Sequence, residues 1–239
     1  MRRFAAAVAL IAAAAGGAAA QVPGGLGGDT ASSLIQTFGV LTVLAIAPGL
    51  LVMMTSFTRI VIVLSILRSG LGLQSTPANL VLISLALFMT FHIMAPTLDK
   101  AWTDGLQPLS RKEITEAEAF DRIADPFRGF MMAQVRDRDL DLFVDLARER
   151  GKTVGTPEKV ELRVLVPAFM ISELRRGFEI GFLVVLPFLV IDLIVATVTM
   201  AMGMMMLPPT VLSLPFKILF FVLIDGWSLL TGSLVRSFS

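Results

Sequence analysis

Arg59, Asp192, Lys217 and Asp225 stand inside runs of apolar residues, and Glu173, Arg175, Arg176 and Glu179 interrupt another such run. A charge facing lipid costs at least about 3 kcal/mol, so side chains placed this way face protein or water. Acids lining one path could relay protons or couple a solute to ion flow, which would make Asp192 and Asp225 the working groups of a secondary transporter. Opposite charges could instead pair and fix how helices pack, within the chain or between subunits. Pairing is the favoured reading, because basic residues such as Lys217 and Arg59 are available to neutralise the acids. Intramembrane hydrolysis by the two aspartates is a third use, but their flanks, "VIDLIV" and "LIDGWS", suggest nothing specific.

Other chemistry is excluded by composition. The chain of 239 residues contains no cysteine and a single histidine, His92. Disulfides, thiol catalysis, thiolate metal sites and histidine clusters are therefore ruled out. There is no phosphate-binding glycine loop, no metal-ligand spacing and no G-x-S-x-G serine. The expectation is a chain that is not an enzyme and takes no cofactor or metal. A formal charge of +1 carries no basic excess that would argue for nucleic acid.

The elements that must hold the charges are of membrane type. Hydrophobic residues make up 55% of the chain and the mean hydropathy is +0.80, far from a soluble average. Residues 1–20 have the order of a secretory signal peptide: Arg2 and Arg3, an alanine-rich apolar run, then small residues, with cleavage expected after Ala20. A glycine-rich linker occupies 21–39. Val40 to Leu67, broken only by Pro48 and Arg59, and Asn79 to Pro96 are long enough to cross a hydrocarbon layer of roughly 30 Å, and "RSGLGLQSTP" joins them into a first helical hairpin over 40–97. A second apolar hairpin is expected over 161–239. Pro167 and Pro187 kink its first helix rather than end it, and Lys217 and Asp225 lie inside its last helix.

Between the hairpins, residues 98–160 form a polar insert. Asp99 to Arg163 hold 12 basic and 14 acidic residues, 26 of the chain's 39 charges. Phe120, Ile123, Phe127, Phe130 and Met131 recur at helical spacing, as do Leu140, Phe143, Val144 and Ala147. The insert is therefore expected to be helical, with solvated charges and an apolar stripe that needs a partner surface. The fold class is all-α: two long helical hairpins of membrane type with a polar helical insert between them. If the signal is cleaved outside, the insert is extracytoplasmic. The two hairpins show no visible repeat of the kind common in transporters.

Five of the thirteen methionines fall between Met200 and Met206, in "MAMGMMMLPP". Thioether side chains are unbranched and adaptable, so by composition alone this stretch is a turn rich in gap-filling residues. Together with "MMTSFTRIVIVLSILRSGLG", "LFMTFHIMAPTLDKAW", "LVPAFMISELRRGFEIGF" and "SLPFKILFFVLIDGWSLLTGSL", however, it resembles the FliP/SctR family of type III secretion export-gate proteins. The resemblance covers nearly the whole chain from about Leu41 to Ser239, and the signal peptide resembles the flagellar branch.

That resemblance implies a homo-oligomer, a pentamer, assembling with FliQ and FliR into a helical pore that unfolded flagellar subunits cross at the inner membrane. FlhA and FlhB would surround or cap it. It further implies that Met204, Met205 and Met206 form a gasket constricting the pore. Glu173 and Lys217 match charged positions used for subunit contacts, and Phe130 and Phe143 match aromatics through which the insert helps subunits associate.

Overall fold

The computed structural model describes residues 45, 49, 52–151, 160–203 and 208–238. The expected signal peptide, the linker and the methionines Met204, Met205 and Met206 lie outside the described residues. The chain divides into two units, Met1–Pro48 and Gly49–Ser239, and the helices α1 to α8 all belong to the second.

No strand occurs among the described residues, in keeping with an all-α fold. Helix α1 spans Phe57–Gly70 and α2 spans Asn79–Ala101. A π-helical turn, Trp102–Leu106, continues α2 into the short α3, Gln107–Ser110. The insert supplies α4, Glu116–Gln134, and α5, Asp137–Glu149. Then come α6, Leu162–Ala201, α7, Pro209–Leu223, and α8, Gly226–Arg236. The expected single helix over Val40–Leu67 is not continuous: residues 54–56 form a turn, and α1 begins after it.

Local chemistry explains several boundaries. Thr115 caps α4, its hydroxyl accepting from the Glu118 amide at 3.3 Å, and Glu116 and Glu118 place negative charge on the first turn where the helix dipole favours it. Gly151, at φ +66°, ends α5 in the left-handed conformation that glycine adopts without strain. Pro209 opens α7 at the position where a missing N–H costs nothing. The π turn puts Gly105 against Ile123 of α4, where an added Cβ would lie 2.4 Å from the isoleucine Cγ1.

Helix α6 runs unbroken for 40 residues through Pro167 and Pro187, and is therefore about 60 Å long. That is twice a hydrocarbon layer. Its charged turn, Glu173 to Glu179, falls in the first half, and the only charge in the helix after it is Asp192. Two stretches, 79–110 and 162–201, are long and apolar enough to cross a membrane, or three if α7 and α8 make one bent span.

Helix α1 is the centre of the packing. Ile60, Val63, Leu64 and Leu67 are buried in a core with Leu82, Ala86 and Met89 of α2, Phe188 of α6, Phe221 of α7, and Leu230 and Leu234 of α8. A second core joins the insert to the start of α6 through Met131, Val135, Val164, Leu165, Ala168 and Phe169, with α5 adding Leu140, Phe143, Val144 and Ala147. Phe120, at the outer end of the aromatic stripe read from the sequence, is exposed.

Small residues let α1 and α6 approach closely. A Cβ on Gly177 would lie 3.1 Å from Ile62, one on Gly181 2.6 Å from Ile66, and one on Gly70 2.5 Å from Val185. Glycines four apart on one face of α6 thus receive the isoleucines four apart on α1, the small-residue packing by which apolar helices associate without a hydrophobic drive. Gly181→Val should overpack this contact and lower thermal stability in detergent by about 1–3 kcal/mol, and adding Ile66→Ala should restore much of it.

Candidate functional site

Arg59 enters from the first turn of α1 and is 1% exposed, against a Glu173 that is fully buried on α6. Its Nε donates to Glu173 Oε2 at 2.9 Å, and Nη2 donates to Glu173 Oε1. Nη2 also donates to Gln134 Oε1 of α4 at 3.0 Å. Nη1 donates to the Ser237 carbonyl at 2.9 Å and the Ser237 hydroxyl at 3.0 Å. All five N–H groups of the guanidinium have acceptors. Its face is covered as well, since Cζ lies 3.7 Å from the Phe238 ring centroid. Arg176 donates to the same Gln134 oxygen at 2.9 Å, and Gln134 Nε2 donates to the Phe238 carbonyl at 3.3 Å. Four segments meet at this node: α1, α4, α6 and the turn after α8.

A second buried cation lies at the other end of α1. Lys217 of α7 donates to Asp192 Oδ2 at 2.5 Å and to the Gly70 carbonyl at 3.0 Å. Asp192 Oδ1 accepts from Ser213 Oγ at 2.5 Å. The lysine thus neutralises an acid on α6 and satisfies one of the free carbonyls at the end of α1, where positive charge also suits the helix dipole.

Of the charges picked out by the sequence, four are drawn into these two pairs. Arg59 pairs with Glu173 rather than with an aspartate, and Lys217 with Asp192. Glu173 and Lys217, positions to which the family resemblance gives subunit contacts, find their charge partners inside the chain. The expectation for Asp225 is corrected. It does not sit within a helix but at the break between α7 and α8, with φ 51° and ψ 50°, and its residue is exposed. The two helices meet there at 64°. Aspartate tolerates the left-handed conformation, and the adjoining Gly226 has no Cβ to meet the Phe221 ring, 2.3 Å from where one would stand.

The aromatics of the insert are also placed. Phe130 is half-buried, edge-on to Phe169 with centroids 5.9 Å apart and stacked on Phe238 at 6.1 Å. Phe143 is half-buried and, with Leu146, Ala147 and Val164, lines a groove of about 160 Å³ between α5 and α6. Ser172 docks the start of α5 on α6, its hydroxyl donating to Asp139 Oδ2 at 2.7 Å and accepting from the Arg136 amide at 3.1 Å.

Sequence reasoning missed Gln134, Ser213, Ser237 and Phe238. Ser213 stands four residues before Lys217, on the same face of α7, a spacing that could have revealed it. Gln134 and the Ser237–Phe238 pair carry no local signal, because their partner Arg59 is 75 or more residues away.

A web of complete, mutually neutralising pairs fixes helices rather than carrying out a reaction. A sequence model of the FliP family matches residues 40–234, a range that includes both ion pairs. The chain belongs to the FliP family. It is 69% identical to the flagellar biosynthetic protein FliP of Rhizobium meliloti strain 1021, over 88% of this chain and 86% of that one. It is 65% identical to the protein of the same name from Agrobacterium fabrum, over 100% of both chains, and 49% identical to that of Bacillus subtilis strain 168, over 88% and 94%. FliP proteins are structural components of the flagellar export apparatus rather than enzymes, and this chain's role is in flagellum biogenesis and export. Its long apolar helices place it in a membrane alongside other export components.

Asp192→Asn leaves Lys217, only 5% exposed at the side chain, without its counter-charge. A loss of about 2–3 kcal/mol in thermal unfolding is expected, toward the lower side for a broken pair because Asp192 itself keeps 28% of its side chain exposed. Ser213→Ala removes only a hydrogen bond and should cost about 1–2 kcal/mol.

Proposed function

We propose that this chain is the core pore-forming subunit of the flagellar type III protein export gate. Copies of it, five by family resemblance, assemble with FliQ and FliR, with FlhB and FlhA alongside, and unfolded flagellar subunits pass through the ring they form. The protein sits in the inner membrane as a multi-pass component, with the insert on the extracytoplasmic side. Met204, Met205 and Met206 constrict the pore, their flexible thioethers closing on one another and yielding to many different polypeptides.

The observation that carries this reading is the family match across residues 40–234, which runs through both apolar hairpins and the methionine stretch between α6 and α7. The surface of the single chain supports it. Phe88 on α2, Phe178, Phe182 and Leu193 on α6, and Leu223 on α7 are each more than half exposed. Apolar area of this extent needs lipid or sister subunits to cover it. The satisfied ion pairs add further support, because Asp192, held by Lys217 and Ser213, is not a free acid on a proton path.

Replacing Met204, Met205 and Met206 together by Ala should give a chain that still co-purifies with FliQ- and FliR-like partners but leaks small solutes or ions when the complex is placed in a membrane. Unchanged permeability would remove the gasket. A chain that purifies alone and loses solute uptake on Asp192→Asn, with its fold intact, would instead indicate a transporter.

A further inference from the structure

We propose that Ser237 and Phe238 form a clasp that closes the Arg59 node and holds the polar insert against the apolar helices. The pair lies beyond residue 234, where the family match ends, and nothing in the pore reading depends on it.

Five contacts define the clasp. Ser237 accepts both hydrogens of Arg59 Nη1, through its carbonyl at 2.9 Å and its hydroxyl at 3.0 Å. The Phe238 ring covers the guanidinium, with Cζ 3.7 Å from the centroid. The Phe238 carbonyl accepts from Gln134 Nε2 at 3.3 Å, and its ring stacks on Phe130 at 6.1 Å with the planes 21° apart. Phe130 and Gln134 are four residues apart on α4, hence on one face of the last turn of that helix. Two consecutive residues therefore grip the arginine of α1 and one face of α4 at the same time.

Helix α8 and the end of α4 are held mainly by different contacts. Leu230 and Leu234 bury α8 in the core around α1, against which Val235 and Phe238 also pack. The contacts of the Phe238 ring with Arg59 and Phe130, and the hydrogen bond its carbonyl accepts, are nevertheless with the node and the insert. Without the ring, the guanidinium face opens to water and Phe130 loses its stacking partner, while the Gln134 side chain still links the end of α4 to Arg59. A cation held under an aromatic ring away from water is stabilised far more than one at an open surface. Closure of the node thus adds to the second core in holding the end of α4.

Hydrogen exchange on the full chain in detergent reads the clasp directly. Phe238→Ala should speed exchange of the amides of residues 127–135 on the order of tenfold. Amides of residues 227–234 in α8, which Leu230 and Leu234 still anchor, should change much less. Phe238→Trp, which keeps a ring face, should exchange like the unaltered chain, and Phe238→Leu, which keeps only apolar bulk, should exchange like Phe238→Ala. Unchanged exchange at 127–135 in Phe238→Ala would overturn the proposal, as would a rise of equal size in 227–234. Full protection in Phe238→Leu would overturn the role of the ring. Should Phe238→Ala fail to accumulate as folded protein, Phe238→Leu against Phe238→Trp gives the same decision.

Discussion

The guanidinium of Arg59 is the constraint around which the rest of the chain is arranged. An arginine cannot shed its charge, and this one is 1% exposed, so the fold must supply a counter-charge and acceptors for all five of its N–H groups. Glu173 provides the charge and two of the acceptors, Gln134 one, and Ser237 two. Those residues come from three segments far apart in the sequence. Their convergence fixes where α4, α6 and the turn after α8 stand around α1. Among the apolar cores, one lies around α1 and another between the insert and α6.

Lys217 repeats the logic at the far end of the same helix. Helix α1 has 14 residues and is about 21 Å long, and it is tied by charge near its start and again at its last carbonyl. Between the two ties the glycines of α6 admit the isoleucines of α1. With position along the helix fixed by charge and close approach permitted by the glycines, α1 and α6 are held in one register. Such a scaffold keeps its shape, and it leaves Glu173 and Asp192 of α6 occupied. The outer faces, rich in exposed Phe and Leu, are left uncovered by the chain itself.

Much of this was legible in the sequence, for reasons that can be named. Charges within apolar runs implied partners because hydrocarbon gives them none, and Arg59, Glu173, Asp192 and Lys217 are all paired. The partners themselves could not be read: Arg59 and Glu173 are separated by 114 positions, and periodicity reports only which face a residue shares, not which helix it meets. Asp225 was misplaced because an apolar run hides a break. The Asp-Gly pair in "LIDGWS" was the available turn signal, outweighed there by the surrounding leucines and phenylalanines. The turn at 54–56 was hidden in the same way. Met204, Met205 and Met206 lie outside the described residues, so their role rests on the family resemblance.

The central claim, that a single buried ion pair organises the chain, is tested most directly by a double-mutant cycle on Arg59 and Glu173, read by unfolding of the purified protein in detergent. Arg59→Met and Glu173→Leu should each cost about 3–5 kcal/mol, since each strands a buried group, while the double variant should cost markedly less than the sum. Strictly additive losses would mean that the two side chains act independently, and would contradict the claim.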